Sequence, residues 1–324
     1  MMLEHGLHSS VMAAECVEWL RPEVCRVLVD ATAGHGGHAL LLALRMAPGS
    51  RLLILDTNAD SLEIAARRLS DVPIRVVAVQ RNHREIADIL DEEGMGDVDG
   101  VLYDQGLSSA DYEGQLGYSF RHDAPLDMRR HPPSGPSAAD LLMTLDQRQL
   151  TRLFRDFGDE TWAPRIAESI VEQRRREPFR TTLQFVKLVE RSIPRKAWPA
   201  DRHVATRAMM ALRYAVTDDL GSIRESITAV TSRLRPGGRI ACLSFCSTED
   251  RVVKQVFRSL ERPCICPKGM PDCGCGRVPQ VRSLMKSALR PTPSEVADNP
   301  RSRSALLRVV ERLNTPTNPP LAST

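Results

Sequence analysis

The chain has 324 residues, 42% hydrophobic and 26% charged, which is the balance of a globular protein with a sizeable core. Its longest apolar stretches, such as Leu40–Leu44 and Leu52–Leu55, fall far short of the roughly 20 residues needed to cross a bilayer. Eight cysteines are too few for a secreted disulfide scaffold, and Met1–Ser10 has neither the basic start of a signal peptide nor the Arg/Ser-rich character of a transit peptide, so a cytoplasmic setting is expected.

The net charge of +3 hides a separation along the chain. Residues 1–120 carry a net of −10, residues 161–213 a net of +7 and residues 251–312 a net of +8. Such a division suggests that part of the surface faces a polyanion.

The first hundred residues alternate between short β-branched runs and helical spacing. Val27–Ala31 reads as a strand, followed by the turn Gly34-His-Gly-Gly37 and a helix over His38–Met46. Arg51–Asp56 precedes a helix over Ser61–Leu69, Ile74–Val79 precedes Arg84–Glu93, and Val98–Asp104 closes the series. This rhythm predicts βαβ units and a parallel sheet of the α/β, Rossmann-like class. After Asp104 the next clear strand is Gly238–Phe245, preceded by a helix end and turn at Leu234-Arg-Pro-Gly-Gly238. The interval reads as helices over Ala138–Leu142, Asp146–Phe157, Ala163–Arg176, Thr182–Ser192 and Thr206–Ala215. It is too long for a structureless loop. A helical domain over 112–212 is therefore expected between two parts of a sheet domain, 1–111 and 213–313, with a disordered tail over 314–324.

Ligands of open α/β sheets bind at the carboxyl ends of the strands. Gly36 and Gly37, Asp56, His83 and Asp104 all fall just beyond such ends. A glycine turn followed 19 residues after Gly37 by Asp56 suits the ribose of an adenosine-containing cofactor. Both a dinucleotide and S-adenosylmethionine meet that description. Asp30, at the end of the first strand, would repel a pyrophosphate and would suit an ammonium and a sulfonium.

Five segments run in order: Val29-Asp-Ala-Thr-Ala-Gly-His-Gly-Gly-His38, Val98-Asp-Gly-Val-Leu-Tyr-Asp-Gln-Gly-Leu-Ser-Ser109, Gly117-Tyr-Ser-Phe-Arg-His-Asp-Ala-Pro-Leu-Asp-Met-Arg129, Pro236–Arg251 and Asn299-Pro-Arg-Ser-Arg-Ser-Ala305. Together they resemble the bacterial small-subunit ribosomal RNA (cytosine-N4)-methyltransferase family, known also as MraW or RsmH, over nearly the whole chain. The resemblance implies a class I methyltransferase sheet with an inserted helical domain. It also implies S-adenosyl-L-methionine as methyl donor and a cytidine of small-subunit ribosomal RNA, free or in an assembling subunit, as acceptor. A homodimer is left open. Cofactor contacts carry over to Gly36, Gly37, His38, Asp56 and Asp104, with His83 where the family has an aromatic and Asp111 where it has Gln. Further departures are Gln105 in place of Leu and Cys246 in place of His. Asp104 and Ser108 are assigned to the catalytic step, with a helix cap as the other reading of Ser108 and Ser109.

Arg174, Arg175, Arg176, Arg191, Arg195, Lys196, Arg202 and Arg207 could line an RNA-binding face or be ordinary solvated charges, and His203 could reach the site or only pack. Cys264, Cys266, Cys273 and Cys275 could hold zinc, but Cys-x-Cys is tighter than the usual ligand gap. A reduced loop is the favoured reading and no metal is assigned. Two other functions stay open: the same fold acting on another nucleic acid, and a catalytically weak relative that binds RNA or assembling subunits.

Overall fold

The computed structural model describes residues 10–106, 116–130, 135–267 and 273–318. Ser108, Ser109 and Asp111 lie outside them. The chain divides into two compact units, one formed by residues 1–106 and 221–324 and the other by residues 107–220.

The first unit is built on strands β1 (Val27–Asp30), β2 (Arg51–Asp56), β3 (Arg75–Gln80), β4 (Val98–Asp104), β5 (Leu234–Ser244), β6 (Val281–Ser283) and β7 (Leu306–Arg312). They form one sheet in the order β3-β2-β1-β4-β5-β7-β6. The first five strands are parallel, and β7 runs antiparallel to both β5 and β6. This is the doubly wound α/β sheet expected from the rhythm of the first hundred residues, with an antiparallel edge added from the C-terminal third.

Helices α1 (Ala13–Leu20), α2 (Gly37–Ala43) and α3 (Ala59–Arg68) cover one face through Cys16, Leu20, Ala39, Leu42, Leu62 and Ala65, which are buried with the sheet residues Leu28, Ile54 and Leu102. Asn58 starts α3 by accepting the Ser61 N–H with its side chain. Helix α4 (Ile86–Glu92) opens with a 3₁₀ turn over His83–Glu85, one residue earlier than the spacing indicated.

Strand β5 begins four residues before the predicted strand. The register runs from Val98↔Leu234 to Gly100↔Arg239, so two residues of β4 span five of β5. Pro236 has no N–H to give to the ladder, and Gly237 takes φ +82°, so the extra residues loop out as a bulge within the strand. At the other end of the unit, the stretch read as a tail from Asn314 is tied down as far as Asn318. Gln280 Nε2 donates to the Pro316 carbonyl (2.8 Å), and Asn318 Nδ2 to that of Val278 (2.7 Å).

The second unit is helical: α5 (Ala138–Thr144), α6 (Gln147–Gly158), α7 (Ala163–Arg174), α8 (Thr182–Ser192) and α9 (Thr206–Thr217). Capping boxes at Ser137/Asp140, Asp146/Gln149 and Thr181/Gln184 fix three of these starts. Its core is Leu150, Phe154, Ile166, Ile170, Phe185 and Leu212, with Phe154 and Phe185 stacked at 6.0 Å. Helix α10 (Asp219–Thr231) follows directly. Asp219, mostly buried, receives Arg130 Nη2 at 3.0 Å and lies 3.9 Å from Arg213 Nε. Burial pushes its carboxyl up, but Arg130 and Arg213 outweigh this and hold it below the ordinary value. A depressed folded-state pKa contributes stability above the unfolded pKa, and that stability is lost as pH falls through the folded value. Asp219→Ala should cost about 3 kcal/mol at neutral pH, because it strands two partly buried guanidinium groups. Urea midpoints taken from pH 7 downwards should show the deficit relative to the parent chain narrowing below about pH 4.

Candidate active site

The site is set by strand register. Asp30 on β1 pairs with Ile54 on β2 and with Leu102 on β4. Asp56 and Asp104 each lie two residues further along their strands. Side chains alternate between faces with a period of two, so Asp30, Asp56 and Asp104 project from the same face at the same edge of the sheet. The turn after β1 is fixed in the same way. The Gly34 N–H donates to Asp56 Oδ2 (2.8 Å), Asn58 N–H to Asp56 Oδ1 (2.8 Å), and Asp104 N–H to Thr32 Oγ1 (2.6 Å).

The glycines of the turn have different duties. A Cβ on Gly36, which has φ +77°, would lie 3.0 Å from the backbone of Ala65 on α3. One on Gly37 would collide with the Ser10 hydroxyl. Gly34, at φ +50°, has open space where a side chain would stand. Gly36 and Gly37 thus let α2 approach its neighbours, and Gly34, which the sequence reading did not select, leaves room for a ligand.

His38 is 6% exposed and lies between a backbone carbonyl and a carboxylate. Its Nε2 is 2.9 Å from the Val11 carbonyl oxygen, and its Nδ1 is 3.4 Å from Asp104 Oδ2. A carbonyl oxygen and a carboxylate oxygen both act as acceptors, so this placement suits a ring with protons on both nitrogens. Burial acts to lower the imidazole pKa, but the bonds to Asp104 and then Cys16 outweigh it and hold it well above the ordinary value. The imidazolium occupies Asp104 Oδ2, while the other oxygen, Oδ1, is buried without a hydrogen-bond partner among the described residues.

Asp30 is 1% exposed. One of its oxygens accepts the Thr32 N–H (3.1 Å), and the other is buried without a partner among the described residues. Burial pushes its carboxyl up to about 6. His38 and Thr32 pull it down, while Asp104 and Asp56 add to the rise. Three carboxylates around one imidazolium make this edge of the sheet a site for a cation.

His83 sits beyond β3 with its ring edge-on to Tyr103, centroids 5.5 Å apart. Gln105 follows Asp104, is 5% exposed, and has its Nε2 buried without a partner among the described residues. Sequence reading noted Gln105 only as a departure, and Val11 and Thr32 not at all. Val11 contributes a backbone carbonyl, which no residue type can signal. Cys246 stands at the N-cap of α11 (Ser247–Glu261), where its Sγ accepts the Glu249 N–H at 3.5 Å. A thiol there does a cap's work.

In the helical unit, Arg174 donates to the carbonyls of Leu142 (2.8 Å) and Leu145 (2.7 Å) and so closes the end of α5. Arg175, Arg176, Arg191, Arg195, Lys196 and Arg202 are exposed, and Arg207 is half-buried. Arg195 also stacks on Trp198 at 3.9 Å. His203 is packed: it meets Glu190 at 3.2 Å and lies against the rings of Phe120 and Trp198.

Residues 5–313 match the model of the MraW methylase family. The chain belongs to that family. The ribosomal RNA small subunit methyltransferase H of Geotalea uraniireducens is 44% identical over 307 residues, covering 94% of this chain and 98% of the relative. That of Geobacter sp. strain M21 is 43% identical over 312 residues, covering 96% of this chain and all of the relative. Among solved structures, an rRNA methylase from Streptococcus thermophilus superposes with a TM-score of 0.41 at 12% identity, over 97% of this chain and all of that one.

The methyl donor of a MraW methylase is S-adenosylmethionine, and the residues present fit it. Asp30 offers a buried acceptor oxygen without a partner among the described residues, and Gly34 leaves open space beside the Asp56 carboxylate. A cationic donor favours ionised Asp30. Below about pH 6, binding must first expel a proton from that carboxyl, whereas His38 keeps its proton through this window. Donor affinity measured by titration calorimetry should therefore rise several-fold as pH increases through about 6. Asp30→Asn should weaken binding by about tenfold, ~1.4 kcal/mol, and flatten this dependence.

Proposed function

We propose that this chain transfers a methyl group from S-adenosylmethionine to the N4 amine of a specific cytidine in small-subunit ribosomal RNA. The observation that carries the reading is Asp104, with one carboxylate oxygen fixed by His38 and the other buried without a partner among the described residues at the end of β4. The donor supplies an activated methyl group on a sulfonium. The chain must hold an amine in line with that methyl and let a proton leave.

An exocyclic cytosine amine is a poor nucleophile because its lone pair is delocalised into the ring. Asp104 Oδ1 can accept one amine N–H, which orients the nitrogen and withdraws proton density as the new bond forms. His38 keeps the carboxylate from rotating away. Asp56, which accepts the Gly34 and Asn58 amides, is the carboxylate assigned to the donor's ribose hydroxyls. Ser108 and Asp111 are assigned by resemblance to base and cofactor contacts. The base must be unstacked to present its amine.

The names of the relatives and the exposed cations of the helical unit support RNA as the acceptor. In the sheet unit, Lys254, Arg258, Arg262 and Lys286 line a cavity beside α11 together with Glu261 and with Arg308, which is paired to Asp250.

The test is methyl transfer to unmethylated small ribosomal subunits followed by nucleoside analysis. N4-methylcytidine should form with the parent chain. Asp104→Asn should lower the rate by about 10²-fold or more while donor binding stays within about tenfold. A different methylated nucleoside would overturn the cytidine assignment. Charge reversal at Arg175 and Arg176 should weaken RNA binding and reduce the slope of log affinity against log salt by about 1 to 2. Arg174→Ala should leave that slope unchanged and lower stability by about 1–3 kcal/mol.

A further inference from the structure

The loop between α11 and β6 holds four cysteines in two Cys-x-Cys arms. Cys264 and Cys266 follow α11, and Cys273 and Cys275 precede β6. The base of the loop is closed by a backbone bond from the Gln280 N–H to the Leu260 carbonyl (2.8 Å). Above it the arms bring all four Sγ atoms within 4.8 Å of one another.

The separations decide between explanations. Cys264–Cys273 is 3.5 Å, Cys273–Cys275 3.4 Å, Cys266–Cys273 3.9 Å and Cys264–Cys275 3.9 Å. A disulfide requires about 2.05 Å. A tetrahedron of sulfurs around one zinc ion, with Zn–S near 2.3 Å, has edges of about 3.8 Å. The observed distances straddle that edge.

Hydrophobic packing does not account for the cluster. Cys264 and Cys273 are exposed, Cys266 and Cys275 half-buried, and the intervening Ile265 is 60% exposed. Thiols are weak donors and weak acceptors, so their mutual contacts do little to hold an exposed loop together. The short Cys-x-Cys spacing that argued against a metal in the sequence is met here by folding one arm back onto the other.

We propose that Cys264, Cys266, Cys273 and Cys275 bind one zinc ion as a structural tetrathiolate site. Four protein ligands saturate a tetrahedral ion, so no position is left for substrate or water. Four thiolates and one Zn²⁺ carry a net of two negative charges, and Arg262 and Arg277 flank the ligands in the chain. Tetrahedral sulfur ligation suits zinc or iron–sulfur chemistry. All four sulfurs around one point match a single ion, whereas an iron–sulfur cluster would stand between its ligands and spread them.

The experiment uses the full chain purified under reductant, with metal content measured by elemental analysis and by a chromogenic chelator after an organomercurial has capped the thiols. One zinc per chain is expected. Zn²⁺ returned to the chelator-stripped chain should restore one equivalent, and Co²⁺ in its place should give the intense thiolate charge-transfer and tetrahedral ligand-field absorption. Cys264→Ser and Cys273→Ser should lose the metal, and Cys25→Ser should keep it. A parent chain that carries no zinc and takes up none when offered Zn²⁺ would overturn the proposal whatever the variants do. So would an intact mass lighter by the hydrogens of one or two disulfides, or stoichiometric iron with visible colour.

Discussion

Register is the constraint on which the site depends. The three carboxylates come from strands separated in sequence by a helix or more, yet each lies at a position of the same parity relative to its neighbour. A slip of one residue in β1 would turn Asp30 to the opposite face and leave its charge among the residues behind the sheet. The apolar residues that hold the register are the preceding members of the same alternation, Leu28, Ile54 and Leu102, buried under α1, α2 and α3. Packing that stabilises the sheet therefore also aims the chemistry. The strain of gathering three anions is relieved by one imidazolium from α2, which is itself fixed by a carbonyl ahead of α1.

Much of this was legible in the sequence, and the reasons differ by element. Strands β2 and β4 were readable to the residue because the apolar runs Leu52–Leu55 and Val101–Tyr103 end abruptly in Asp56 and Asp104. The helices of the second unit were readable because Ser137, Asp146 and Thr181 each announce a start, with Asp or Gln three residues on to complete the box. Strand β7 was not, since Leu306–Arg312 sets apolar pairs between charges and so lacks the strict alternation of a half-buried strand, and nothing in it signals antiparallel pairing beside β5. The early start of β5 was hidden by Pro236 and two glycines, which read as a turn because they are one, placed inside a strand.

The site itself was legible in residue type and not in duty. Asp104, Asp56 and His38 were visible as groups at strand and turn positions, but the division of labour among them rests on distances. His38 stands between Asp104 and the Val11 carbonyl. Gly36 and Gly37 are required by packing against Ala65 and Ser10, and the open position falls to Gly34. The basic segment divides likewise: Arg174 is engaged with helix carbonyls, while its neighbours Arg175 and Arg176 remain in solvent. Charge counts cannot separate such residues, because the distinction is whether a carbonyl stands within reach.

The pairing of β4 with β5 has a kinetic side. These strands are neighbours in the sheet, but Asp104 and Leu234 are separated by the whole of the helical unit. Contacts across such a separation close late, because a long loop must be ordered before they form. At common rates of synthesis, on the order of ten seconds pass between the emergence of one strand and the other. During that interval the β4 edge, which carries Val101, Leu102 and Tyr103, has an unpaired row of backbone donors and acceptors. The helices made in the meantime depend mainly on nearby contacts and can fold before the sheet is complete. The nascent chain thus waits with β4 at an open edge, and that edge is where a chaperone or an aggregation partner would first find it.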